Sequence, residues 1–125
     1  MSPLNVPAPA YMVDEELTLF RDSVGRFLDA HADPRRIERW RQAGVVDRDI
    51  WREASAAGLL GLSTAQAYGG AGGDFRHETI LMEEIGRRGV EGWGVSLHNA
   101  IILPYIETFG SEEQKKKWLP KLASG

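Results

Sequence analysis

Five times along the chain, at Asp14, Asp33, Asp47, Asp74 and Ser111, a residue type that caps helices stands just before apolar residues at helical spacing. The repetition constrains the fold more than any other feature, because a carboxylate or hydroxyl there accepts N–H groups that the first turn of a helix leaves unpaired. After Asp14 the apolar residues are Leu17, Phe20, Val24, Phe27 and Leu28, with Glu15 and Glu16 placed to meet the positive end of the helix dipole. Asp33 with Pro34 opens a short arginine-rich helix through Trp40 that Gly44 ends, and Arg35, Arg36, Arg39 and Arg41 read as its solvated face. Asp47 opens a third helix burying Ile50, Trp51, Ala54 and Ala57, with Gly58 as its stop.

Asp74 caps a fourth helix reaching about Arg88, with Phe75, Ile80, Leu81 and Ile85 mostly inward and Glu83–Arg87 and Glu84–Arg88 as i,i+4 pairs on a solvent face. Ser111 and Gln114 have capping-box spacing, and the helix they open is supported by Glu112–Lys116 and Glu113–Lys117 before it meets Pro120. No segment alternates with the two-residue period of a strand, so the expected fold is an all-α bundle of five to six helices. Proline at positions 3, 7 and 9 makes residues 1–12 an extended arm, leaving 13–125 as one helical domain. The 42% hydrophobic content is enough for one modest core.

Composition excludes several classes of function. Fifteen Lys and Arg against eighteen Asp and Glu leave a net charge of −3, which argues against nucleic acid and anionic membranes as partners. Without cysteine there is no thiolate nucleophile, disulfide framework or sulfur-ligated zinc. The opening MSPLNVPAPAYM lacks the pattern of a secretory signal, and no later apolar run is long enough to span a bilayer. These features lead to the expectation of a cytoplasmic protein.

Site motifs are few. The loop YGGAGGDF places four glycines within residues 69–73, yet no Lys-Ser/Thr follows as in a P-loop, and a dinucleotide fingerprint would need a third glycine at Phe75. Asp74 would also put a carboxylate where a phosphate should meet the helix end, so the loop reads as a bend. His77-Glu78 fails the zinc-protease spacing because Leu81 stands where the second histidine should be. His31 and His98 stand alone, so no metal site is expected. There is no Gly-x-Ser-x-Gly elbow, and Glu83 and Glu84 have arginine partners that suit them to structure better than to acid/base work.

The segment GWGVSLHNAIILPYIETF leaves no polar stripe for water. A helix apolar all round wants covering all round, so it reads either as the central core helix or as one side of a slot for an apolar ligand, lined by Gly94, Leu97, His98 and Ile101.

In their order, FRDSVGRFL, WREASAAGLLGL, YGGAGGDF, ILMEEIGRRG and SLHNAIILPYIETFGSEEQKKKWLPKLASG resemble the N-terminal helical domain of the acyl-CoA dehydrogenase family over residues 14–125. GVSLHNAIILPYI and GSEEQKKKWLPKLASG look most like its long-chain type. The resemblance implies an FAD-dependent enzyme that oxidises acyl-CoA to trans-2-enoyl-CoA and passes electrons to an electron-transfer flavoprotein. It also implies a middle β-barrel domain and a C-terminal four-helix domain, which lie outside these residues with the catalytic base and flavin contacts. No catalytic or flavin-binding residue is therefore expected in this chain, which alone should be inactive and, with its apolar wall uncovered, should self-associate. What the resemblance carries over is the acyl-chain wall at Gly94, Leu97, His98 and Ile101. The alternatives are a non-catalytic helical module that binds a protein or lipid, and a piece of a flavin monooxygenase or oxidase of the same fold.

Overall fold

Each expected cap forms in the structure, a computed structural model that describes residues 6–125. Asp14 accepts from the Leu17 N–H at 2.7 Å and opens α1 (Glu15–His31). Asp33 accepts from Arg36 N–H at 2.8 Å and opens α2 (Pro34–Ala43), which Gly44 ends at φ 72°. Asp47 accepts from Ile50 N–H at 3.1 Å and opens α3 (Arg48–Ala56). Asp74 accepts from Arg76 N–H and opens α4 (Phe75–Arg87), and the His77 ring nitrogen Nδ1 accepts the Asp74 N–H in return.

The apolar segment begins as α5 (Val95–Leu97), widens into a π turn over His98–Ile102 and continues as α6 (Leu103–Phe109), so the three pieces form one rod. Ser111 and Gln114 make the capping box that opens α7 (Glu112–Ser124). Counting the rod once, the described residues hold six helices and no strand. The expected arm is partly outside the described residues, at 1–5; residues 6–9 are exposed without regular structure, and Ala10–Met12 wind into a single 3-10 turn.

α1 lies along α4, while α3 packs on α1 and α7. Leu17, Val24 and Leu28 of α1 meet Ile50 and Ala54 of α3 and Ile80 and Leu81 of α4 in one buried cluster that also takes in Val95. Each large aliphatic side chain buried there contributes about 1.5–3 kcal/mol relative to exposure. This core backs the inner side of the rod and fixes which side remains outside.

Several surface expectations are corrected. Glu84 is buried: it accepts from Arg21 of α1 at 2.8 Å and pairs with Arg88, which also bonds Asp29 at 2.8 Å. Glu83 turns to Arg21 instead of Arg87, so these charges tie α1 to α4. Arg36 is likewise drawn in by Asp47, by Glu53 at 2.6 Å and by the His31 carbonyl at 2.9 Å. Phe75, expected inward, is 62% exposed, because the buried positions of α4 are Glu78, Ile80, Leu81 and Glu84. On α7, Glu112 meets Lys115 and the Tyr68 hydroxyl instead of Lys116, and Lys117 lies over the Trp118 ring instead of pairing with Glu113. Ala57, the C-cap of α3, is exposed rather than buried.

Candidate functional site

The rod is two-faced. Its inner line, Val95, Asn99 and Leu103, is 0% exposed, while Leu97 (54%), Ile101 (59%), Tyr105 (66%) and Phe109 (73%) form an outer ridge. The expectation of apolar cover all round is therefore corrected within this chain, since α4 and α7 back one side only. Between the two faces the backbone departs from the α pattern: the His98 N–H still donates to Gly94 O at 3.1 Å, but the Leu103 N–H donates to His98 O, five residues back. Pro104 follows at once, with no N–H of its own and a ring that would crowd the carbonyl four residues earlier in a regular helix.

The sequence-derived wall divides accordingly. Leu97 and Ile101 lie on the ridge, with Gly94 exposed at its start. A Cβ at Gly94 would meet nothing within 4 Å, and its φ of −77° suits any residue, so neither crowding nor backbone conformation within this domain calls for glycine. His98 turns the other way. Its Nε2 lies 2.8 Å from Leu122 O, and since a carbonyl only accepts, that nitrogen carries the proton. The ring packs 5.1 Å from Trp51, and burial pushes the imidazole pKa below its ordinary value, favouring the neutral form.

Toward its far end the ridge runs into a groove of about 400 Å³ lined by Tyr105, Ile106, Phe109, Gly110, Gln114 and Trp118. Lys117 and Lys121 hold their ammonium groups 5.1 and 5.7 Å from the Trp118 ring. Aliphatic and aromatic surface is thus continuous from Leu97 to Trp118, long enough to lie against an extended apolar chain or another helix.

Behind the rod lies a polar cluster that the sequence reading did not pick out. Asn99 donates from Nδ2 to Leu59 O at 2.7 Å and accepts the Gly61 N–H on Oδ1 at 3.0 Å, bonding both sides of one loop. Glu78, 1% exposed, accepts from the N–H and hydroxyl of Ser63 at 3.2 and 3.1 Å, and burial pushes its carboxyl pKa above the ordinary value. The usable signal for Asn99 was a single amide in an otherwise apolar run, since a buried polar side chain has to find partners.

The glycine loop is a bend whose donors are already engaged. The N–H groups of Gly69, Gly70, Gly72 and Gly73 donate to the carbonyls of Gln66, Ala65, Thr64 and Leu62. Asp74 beyond them is held by the Arg76 guanidinium, which lowers its carboxyl pKa to about 2. Among the described residues no three His, Cys, Asp or Glu side chains gather as metal ligands, and no helix is long and apolar enough to cross a membrane.

The family model described as "Acyl-CoA dehydrogenase, N-terminal domain" matches residues 14–125. This chain belongs to the acyl-CoA dehydrogenase family. It is 41% identical over 110 residues to the pig (Sus scrofa) mitochondrial long-chain specific acyl-CoA dehydrogenase, a match covering 88% of this chain and 25% of that protein. A crystal structure of an acyl-CoA dehydrogenase from Geobacillus kaustophilus superposes with a TM-score of 0.85 at 33% identity, covering 94% of this chain and 30% of that one. A glutaryl-CoA dehydrogenase from Mycobacterium smegmatis, solved in complex with FADH2, superposes with a TM-score of 0.77 at 28% identity, covering 91% and 29%. This acyl-CoA dehydrogenase N-terminal domain thus spans about a quarter of the length of the curated relatives it matches. The family is one of oxidoreductases, and the all-helical architecture is that of its N-terminal domain.

Proposed function

We propose that this domain works within an FAD-dependent acyl-CoA dehydrogenase that converts acyl-CoA to trans-2-enoyl-CoA, and that the ridge forms one wall of its acyl-chain pocket. The carrying observation is the open apolar line Gly94, Leu97, Ile101 on a rod whose other face is locked into the core. The chain's part is to bind and orient: the wall excludes water from the alkyl chain and aligns it for removal of the α-proton by a base elsewhere in the enzyme. His98 supports the wall from behind through Trp51 and Leu122. Gly94 leaves room where a side chain would meet a long or branched acyl group.

Bound FAD supplies the hydride-accepting chemistry, with an electron-transfer flavoprotein as the onward acceptor. The glycine-loop N–H groups are taken up within the loop, so they make no cradle for the FAD diphosphate, and the flavin is held by other parts of the enzyme. On this reading the 125 residues alone are inactive.

The test begins with the protein as its native cell makes it. A mass well above the 13.9 kDa of this chain, with bound flavin and acyl-CoA oxidation, supports the reading. A flavin-free protein of that small mass overturns it in favour of a binding module. In the active enzyme, Gly94→Leu should lower kcat/KM for long acyl chains while sparing short ones; an unchanged chain-length profile refutes the wall.

A further inference from the structure

We propose that Asn99 is a positioning residue for the wall: by bonding both sides of the Leu59–Gly61 loop it locks the π turn that lines Leu97, Ile101, Tyr105 and Phe109 into one straight ridge. The inference rests on the reading of the ridge as an acyl-chain wall, and its test separates the two.

The ridge residues stand four apart. In a regular α-helix each residue turns by about 100°, so from Leu97 to Phe109 such a row drifts by about a third of a turn and winds off one face. A π turn draws one extra residue into its hydrogen-bonded ring and so takes back roughly that drift. This is what the burial pattern records: the inner line Val95, Asn99, Leu103 stays fully buried while Leu97, Ile101, Tyr105 and Phe109 all stay exposed. With a regular register through 98–102, the two ends of the rod could not both hold these settings.

Pro104 explains why the α ladder fails to close at this point, since it offers no N–H and crowds the carbonyl of Ala100. It does not choose the rotational setting of the segment before it. Asn99 does, because its amide is clamped at 2.7 Å to Leu59 O and at 3.0 Å to the Gly61 N–H, both on a loop outside the rod. That loop is itself pinned from the α4 side, where Glu78 takes the N–H and hydroxyl of Ser63. Leu103, fully buried one π ring later, holds the far side. Removing the Asn99 amide leaves two buried backbone groups without partners and lets the turn relax toward the α register.

The experiment uses the enzyme as its native cell makes it, with Asn99→Ala and Asn99→Asp. The second variant keeps an acceptor for the Gly61 N–H and removes the donor to Leu59 O, so the question stays answerable if Asn99→Ala does not fold. Ser63→Ala is the control: it removes the hydroxyl bond to Glu78 but keeps the Ser63 N–H bond that pins the loop and both Asn99 bonds. Two readouts are taken: amide hydrogen exchange at Leu103, and kcat and KM for a series of straight-chain acyl-CoAs of increasing length. The expected result is faster Leu103 exchange, by about tenfold or more, in the Asn99 variants. With it, discrimination between long and short chains should fall about tenfold through KM, while Ser63→Ala keeps the wild-type profile. An equal loss at every chain length, or undisturbed Leu103 protection, overturns the proposal. If Leu103 exchange rises while neither the Asn99 variants nor Gly94→Leu alters the profile, the register lock stands and the wall reading falls. If Gly94→Leu alters the profile and the Asn99 variants do not, the wall stands and the role given to Asn99 falls.

Discussion

Asp47 caps α3, faces the Arg36 guanidinium and accepts the Trp40 indole N–H at 2.7 Å, so three partners hold its carboxyl well below the usual carboxylate range, Arg36 foremost. Glu78 is its opposite: buried, with Ser63 but no cation in its ion-pair geometry, it has a carboxyl pushed up by desolvation. Because its folded-state pKa lies above the unfolded value, the folded protein binds this proton more tightly. The contribution of Glu78 to stability is therefore fully present below the unfolded pKa and is lost as pH rises through the raised folded value. Glu78→Gln keeps the neutral shape at every pH. Its stability relative to the parent should therefore improve as pH rises from the ordinary carboxylate range through the raised folded value in paired urea titrations, and a difference that stays flat with pH refutes the assignment.

At the scale of elements, the starts and stops were legible because they are local. Asp14, Asp33, Asp47, Asp74 and Ser111 cap helices through N–H groups within three residues of themselves, and Gly44 and Gly58 sit at φ 72° and 73° where chains turn out of a helix. Surface roles were less legible because they depend on neighbours distant in sequence. Glu84 looked like half of an exposed pair until Arg21, 63 residues away, reached it. The glycine loop also separates two kinds of glycine. A Cβ at Gly70 would lie 2.1 Å from Thr64 O, whereas at Gly94 it meets nothing within 4 Å. Gly70→Ala should therefore cost about 1–3 kcal/mol of stability by denaturant unfolding. Gly94→Ala should stay within about 0.5 kcal/mol of the parent, and equal costs at the two sites would contradict the packing described.

Taken whole, the molecule has a closed core and an open apolar side, and a ridge running from Leu97 to Phe109 into the Trp118 groove favours association. Sedimentation of the 125-residue chain should show self-association that grows with concentration and weakens in the double variant Ile101→Glu, Phe109→Glu; a monomer at all concentrations would count against the ridge as a sticky surface. The residue string alone was enough for the helical class, the caps, the bend at the glycines and the family resemblance, since each depends on spacing within a turn or two or on an ordered set of segments. It placed Gly94, Leu97, His98 and Ile101 on one slot by regular helical geometry. Folding turned His98 away from the other three, because its ring finds the Leu122 carbonyl on a helix later in the chain. The buried settings of Asn99, Glu78 and Glu84 arose in the same way. A polar side chain's burial depends on partners that arrive only when distant segments pack, and no local pattern encodes their arrival.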